Sequence, residues 1–135
     1  MVIRMRLNHV TLAVADVESS ADFYRRLGLK QIVESYPNYA RFVAAEGDTT
    51  LSLQAVERSS IAPSASIHFE VDDVDTLVAS LKAAGFSFES DPVDQRYLWR
   101  EAVLLDPDDH RVFTYHAGTN RLDPPWRLRD EDTET

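Results

Sequence analysis

His9-Val10-Thr11-Leu12-Ala13-Val14-Ala15-Asp16-Val17 is answered, 57 residues later, by Ser66-Ile67-His68-Phe69-Glu70-Val71-Asp72-Asp73-Val74. In each copy a β-prone run ends on valine, an aspartate follows two positions on, and a stretch of helical period closes on a glycine, Gly28 or Gly85. Asp16 and Asp73 stand where a helix needs a side-chain acceptor for its first free N–H groups. Gly28 and Gly85 stand where its end needs a residue that tolerates left-handed backbone. Internal repetition is the strongest organising signal a sequence can carry, and here it divides the chain into two like modules.

Outward from each repeat the elements follow in the same order. Val17, Ala21, Phe23, Tyr24 and Leu27 form an apolar stripe on the first helix, and Val74, Leu77, Val78 and Leu81 form one on the second. Both helices are therefore expected to lie on a sheet. After Gly28, residues 30–36, 39–45 and 49–56 read as a three-strand meander, broken by Pro37-Asn38 and by Glu46-Gly47-Asp48. After Gly85 come strands at 86–89, 98–105 and 110–115, with 90–96 as a polar stretch and Asp106-Pro107-Asp108-Asp109 as a turn. Each half predicts βαβββ, and the fold class is α+β.

The totals narrow the chemistry. A chain of 135 residues, 44% hydrophobic and 27% charged, suits one soluble globular domain. The absence of cysteine removes disulfides, thiolate metal sites and cysteine nucleophiles, so any metal must rely on His, Asp, Glu or water. A net charge of −9 speaks against nucleic acid as a partner, and part of it belongs to the acidic end Arg129-Asp130-Glu131-Asp132-Thr133-Glu134-Thr135, expected to be frayed. No apolar run near the amino terminus suits a signal peptide or membrane span, which points to a cytoplasmic protein with no membrane partner. Phosphate loops, nucleophile elbows and His-Glu-x-x-His helices are also missing from the sequence.

Leu7 to Asp16, followed by Asp22-Phe23-Tyr24-Arg25-Arg26-Leu27-Gly28-Leu29, resembles the opening of vicinal oxygen chelate proteins, the glyoxalase/bleomycin-resistance/dioxygenase superfamily. His68 to Val74 and Asp106-Pro107-Asp108-Asp109-His110-Arg111-Val112 resemble its second module, so the likeness spans roughly residues 6–116. The resemblance implies two curved four-stranded sheets around a glyoxalase-like cleft for a small molecule, and a homodimer. It places the domain at residues 1–117, with modules at about 6–57 and 64–116, and leaves 118–135 as a C-terminal extension.

In metal-using members of the family the first and last strands of each module each supply one ligand. The corresponding positions here are His9, Ser52, Ser66 and Phe113. Only His9 is a good ligand for Fe²⁺, Zn²⁺, Ni²⁺ or Mn²⁺, so the family's metal site is degenerate and no cofactor is expected. His68 lies two residues beyond Ser66 on the same strand face, and His9 with His68, helped by Gln54, Glu70 or Glu101, is the alternative metal set. That alternative leads to a metal-dependent lyase, isomerase or extradiol-type dioxygenase.

The favoured expectation is a metal-independent small-molecule cleft. His9 and His68 are its candidate catalytic groups, acting as general acid or base if there is a reaction. Thr11, Ser52, Gln54, Ser66, Trp99, Phe113 and Tyr115 are its candidate lining, aromatic on one side and hydrogen-bonding on the other. Glu70 reads as a surface charge, His110 as a turn residue tolerating unusual backbone angles, and His116 as a strand end. Arg96, Arg100 and Arg111 offer positive charge that could guide a carboxylate or phosphate. Trp126, after Pro124-Pro125, is expected to dock on the chain's own body or on a partner subunit.

Overall fold

The computed structural model describes residues 3–63 and 65–128. The acidic end expected to fray, residues 129–135, lies outside the described residues. The strands are β1 (His9–Val14), β2 (Lys30–Ser35), β3 (Tyr39–Val43), β4 (Thr50–Ala55), β5 (Ser66–Glu70), β6 (Ser90–Asp94), β7 (Arg100–Leu105) and β8 (Arg111–His116); the helices are α1 (Val17–Leu27) and α2 (Val74–Ala83). Two βαβββ modules result, with the strand order β1-β4-β3-β2 in one sheet and β5-β8-β7-β6 in the other. No helix among the described residues is long and apolar enough to cross a membrane.

The chain forms two compact units, one running to Ala65 and including Asp106–His110, the other made of Ser66–Leu105 and the residues from Arg111 on. In the first, the Asp16 carboxylate accepts the Ser19 N–H at the start of α1, and Gly28 ends the helix with φ +120°. Val17, Ala21 and Tyr24 turn inward, while Leu12, Val14, Ala40, Phe42, Leu51 and Leu53 line the sheet face beneath. β1 pairs with β4 in parallel register, His9 opposite Thr50 and Thr11 opposite Ser52, and β3 pairs antiparallel with β4, Arg41 opposite Ser52. Period-two alternation then sends His9, Thr11, Thr50, Ser52, Gln54, Tyr39 and Arg41 to the face away from α1.

Asp106–His110 is buried polar structure within this first unit. The Tyr24 hydroxyl donates to Asp106 Oδ2 at 2.7 Å, and Asp106 Oδ1 accepts the backbone N–H groups of Asp108 and His110, each at 2.9 Å. Asp108 accepts the Ala15 N–H at 3.1 Å and the Ser20 hydroxyl at 3.2 Å. Here the expectation for His110 is corrected. The residue with unusual backbone is Asp109, at φ +67°, whereas His110 is buried with its Nε2 2.8 Å from the Ala13 carbonyl.

In the second unit Asp73 caps α2 through the Thr76 N–H, and Val74 and Val78 pack on Ala102, with Val71 and Phe88 beside them. β5 pairs with β8, His68 opposite Phe113, and β7 pairs with β8, Val103 opposite Phe113 and Glu101 opposite Tyr115. Ser66, His68, Glu70, Glu101, Phe113 and Tyr115 therefore share the face away from α2. The strand expected at 86–89 is displaced. The polar run from Ser90 to Asp94 is β6, an irregular edge strand whose Pro92 is tolerated because only β7 flanks it. Trp126 does not dock on its own chain, being 57% exposed.

Candidate functional site

The outward face of the first sheet carries a continuous line of hydrogen bonds. The Arg41 Nε–H donates to the Tyr39 hydroxyl at 2.9 Å, and that hydroxyl is hydrogen-bonded to Ser52 Oγ. Ser52 Oγ lies 3.1 Å from His9 Nε2; His9 Nδ1 lies 2.5 Å from Thr50 Oγ1, which in turn is 3.4 Å from the Asn8 carbonyl. A guanidinium can only donate and a carbonyl can only accept, so Arg41 donates to Tyr39 and Thr50 to Asn8, while the hydroxyl and imidazole links between them run in either direction. Thr11 Oγ1, at 3.4 Å, is a second and more distant neighbour of the same Nε2. Burial raises the Tyr39 phenol, but the hydrogen bonds from Ser52 and Arg41 outweigh it and the group sits below its ordinary value.

Gln54 shares this face and its amide donates to the Asn38 carbonyl at 3.2 Å, toward the other end of the strand. Tyr39, Arg41 and Thr50 are site residues that sequence reasoning missed. Their alternation along β3 and β4 was visible, but the register that sets Arg41 beside Ser52 exists only in the folded sheet.

The face of the second sheet is aromatic. The His68 ring stacks on Phe113 with 4.2 Å between centroids and 10° between planes, and meets Tyr115 and Trp99 edge-on at 5.5 and 6.0 Å. Trp99 stacks on Tyr115 at 4.7 Å, and Tyr97 stands edge-on to Trp99 at 5.7 Å. The Arg111 guanidinium lies 4.9 Å from the Phe113 ring centre, and Ser66 stands opposite Arg111 on the strand alongside. Neither ring nitrogen of His68 has a hydrogen-bond partner among the described residues, in contrast to His9. Burial holds the His68 imidazole below its usual value, Glu101 draws it up and Arg111 pushes it down, so at neutral pH it is uncharged.

Glu101 is 5% exposed on the His68 face and accepts the Tyr97 hydroxyl, whose own ionisation is pushed up to about 12 by burial and by that carboxylate. Strand parity settles its orientation, which sequence reading left open. Glu70 is exposed, as expected of a surface charge, and is also held in place. Its carboxylate accepts the N–H groups of Ala117 and Gly118 at 2.8 and 2.9 Å, and these bonds outweigh burial to hold it below its ordinary value. Arg100 is likewise committed, paired with Asp75 and Asp94 at 2.8 and 3.0 Å, and is not free for a ligand.

The four positions that correspond to metal ligands hold one imidazole, two serine hydroxyls and a phenyl ring. Among the described residues no group of three His, Asp or Glu side chains is gathered that could hold an ion. These residues do not fit a resident divalent metal, which needs several imidazole or carboxylate donors converging.

A family model for the glyoxalase/bleomycin resistance protein/dioxygenase superfamily matches residues 6–113. Among solved structures, a glyoxalase/bleomycin resistance protein/dioxygenase from Nocardioides is similar at a TM-score of 0.76 and 22% identity, over 96% of this chain and 93% of that one. TnmS3, an antibiotic binding protein from Streptomyces sp. CB03234, is similar at a TM-score of 0.74 and 20% identity, over 87% and 99%. A bleomycin-binding protein solved with bleomycin is similar at a TM-score of 0.64 and 21% identity, over 84% and 98%. At such identities the likeness establishes the fold.

Proposed function

The chain belongs to the glyoxalase/bleomycin resistance protein/dioxygenase superfamily, and from that premise we propose that it binds a small organic molecule with a planar unsaturated part, without a metal. The observation that carries this reading is the wall of His68, Trp99, Phe113 and Tyr115, together with the two unpartnered ring nitrogens of His68. Stacked rings offer dispersion and quadrupole contact to a flat ligand, and a neutral imidazole offers one donor and one acceptor to orient it. Resistance-type sequestration is the role that such a face suits, in line with the antibiotic-binding relatives. If a reaction accompanies binding, His68 is the proton-transfer group best placed to reach a ligand, because its ring nitrogens are not already engaged.

The same reading places the domain at residues 1–117 with an extension at 118–135, in a cytoplasmic homodimer. Support for the dimer is the apolar surface of Ile3, Met5 and Leu7, 66%, 82% and 91% exposed, and of Leu122, Trp126 and Leu128, each more than half exposed. Light scattering after size exclusion reads the oligomeric state directly.

Binding is tested by thermal shift with bleomycin, quinoline and 2-naphthol, since a ligand that prefers the native state raises its melting temperature. At least one probe should raise Tm in the wild type and lose most of that effect in His68→Ala and Trp99→Leu. No shift with any of the three would remove the planar-ligand reading. Metal analysis after anaerobic incubation with Fe²⁺, Mn²⁺, Ni²⁺ and Zn²⁺ tests the rest: one tight equivalent in the wild type, lost in His9→Ala, would overturn metal independence.

A further inference from the structure

We propose that the outward face of the first sheet is a carboxylate-binding site, built where Arg41, braced by Tyr39, stands beside Ser52 on a face that carries no acidic side chain. The proposal goes beyond the aromatic face of the second unit and does not depend on it.

Three observations carry it. First, Arg41 is half-buried and without a counterion. Its Nε is taken up by Tyr39 and its guanidinium lies 5.4 Å from the Tyr39 ring centre, while no acceptor among the described residues meets Nη1 or Nη2. Arg25, Arg100 and Arg121 each have a carboxylate within ion-pair distance, as expected in a chain of net charge −9. Second, the strand register puts His9, Thr11, Thr50, Ser52, Gln54, Tyr39 and Arg41 on this face, all neutral or cationic. Third, one hydroxyl of this face is only weakly engaged. The Thr11 hydroxyl makes only a long contact, 3.4 Å to His9 Nε2, where Ser52 Oγ stands nearer at 3.1 Å, so the Thr11 hydroxyl is available to an incoming acceptor.

The chemistry selects the ligand. Nη1 and Nη2 form a flat fork, and a carboxylate meets such a fork with two parallel hydrogen bonds that a rounder or neutral group cannot match. Tyr39 fixes the guanidinium before binding, which reduces the rotamer entropy lost when the ligand arrives. Thr11, two strands away across Ser52, supplies a hydroxyl at the far side of the same row.

The test uses the full chain with benzoate as probe and benzamide as its neutral isostere, followed by two-dimensional NMR of the arginine side chains and the His9 ring. Benzoate should titrate saturably, shift the Arg41 and His9 signals, and bind at least tenfold more tightly than benzamide. Arg41→Gln should weaken benzoate by about tenfold to a hundredfold, as expected for a lost charge-assisted bond, and Arg41→Lys should recover only part of the loss. Equal binding of benzoate and benzamide, unchanged affinity in a folded Arg41→Gln protein, or tighter binding of inorganic phosphate than of benzoate would each overturn the assignment.

Discussion

The imidazole of His68 lies flat on the ring of Phe113, 4.2 Å between centroids and 10° from parallel. A charged imidazolium in that position would lose hydration without gaining an adjacent hydrogen-bond acceptor, which is why burial drives its proton affinity down. Phe113 thus supplies the stack on one ring face, while partial burial, with Arg111 against Glu101, keeps His68 neutral.

A pH dependence of stability follows. The folded value is below the unfolded one, so between them the unfolded chain binds more protons than the native one, and stability falls as pH drops. The loss should begin near the unfolded imidazole value of 6.5 and level off below the folded one. Denaturant melts across pH 7 to 5 should show this slope in the wild type and a flatter one in His68→Phe, which keeps the ring but not the titration. His68→Ala should cost about 1 kcal/mol through the lost ring contacts. An identical slope in His68→Phe would assign the dependence to other groups.

Tyr24 and Asp106 make the converse case. Burial raises the Asp106 carboxyl, and the Tyr24, His110 and Asp108 donors offset that only in part. Above the unfolded value of 3.8 the native state therefore retains a proton that the unfolded state releases, so this group's contribution to stability declines as pH rises toward the folded value and is constant beyond it. Tyr24→Phe removes the 2.7 Å hydroxyl donor and should cost about 1–3 kcal/mol at neutral pH. The cost should shrink at pH 4, where a neutral carboxyl needs the donor less. Urea melts at the two pH values measure the difference.

Much of this was legible before any coordinates. The constant offset from Val10 to Ile67 and from Gly28 to Gly85 encodes the doubled module, because caps and apolar period are local properties that a sequence carries directly. β6 was not legible at Ser90–Asp94, since an edge strand is held by backbone pairing on one side and needs neither apolar alternation nor freedom from proline. His110 was misread because a turn's sequence signals its existence, while the choice of Asp109 as the left-handed residue depends on the bonds that Asp106 makes. At the candidate site, His9, Ser52 and Phe113 were named from the family resemblance, His68 and Tyr115 from strand alternation, and Trp99 from its place in the strand before. Tyr39 and Arg41 needed the pairing of β3 with β4, a non-local fact. Gln54 was placed on the right face, but its amide turns to Asn38.

Thr114 lies fully buried in β8 with no hydrogen-bond partner for its hydroxyl among the described residues. An unpaired buried hydroxyl opposes folding, and valine has nearly its shape without the polar atom. Thr114→Val should therefore leave ligand binding unchanged and raise stability by about 1 kcal/mol, read as an upward shift of the urea midpoint at constant slope. A destabilised variant would show that the hydroxyl has a partner in solution.

Leu98 holds φ +69° in the turn between β6 and β7, one residue before Trp99. A γ-branched side chain is disfavoured there by its Cβ, and the turn is kept by the Leu98 N–H to Gln95 carbonyl bond at 3.0 Å and the Gln95 N–H to Trp99 carbonyl bond at 2.7 Å. The side chain is 47% exposed, so its burial compensates little for the strain. Leu98→Gly should therefore stabilise the protein by up to about 1 kcal/mol, the relief of left-handed strain less the entropy of a glycine. Leu98→Val, with branching at Cβ, should destabilise it and, because Trp99 is anchored by this turn, should also weaken planar ligands. If both variants bind the quinoline or 2-naphthol probe as the wild type does, the turn does not position Trp99 for binding.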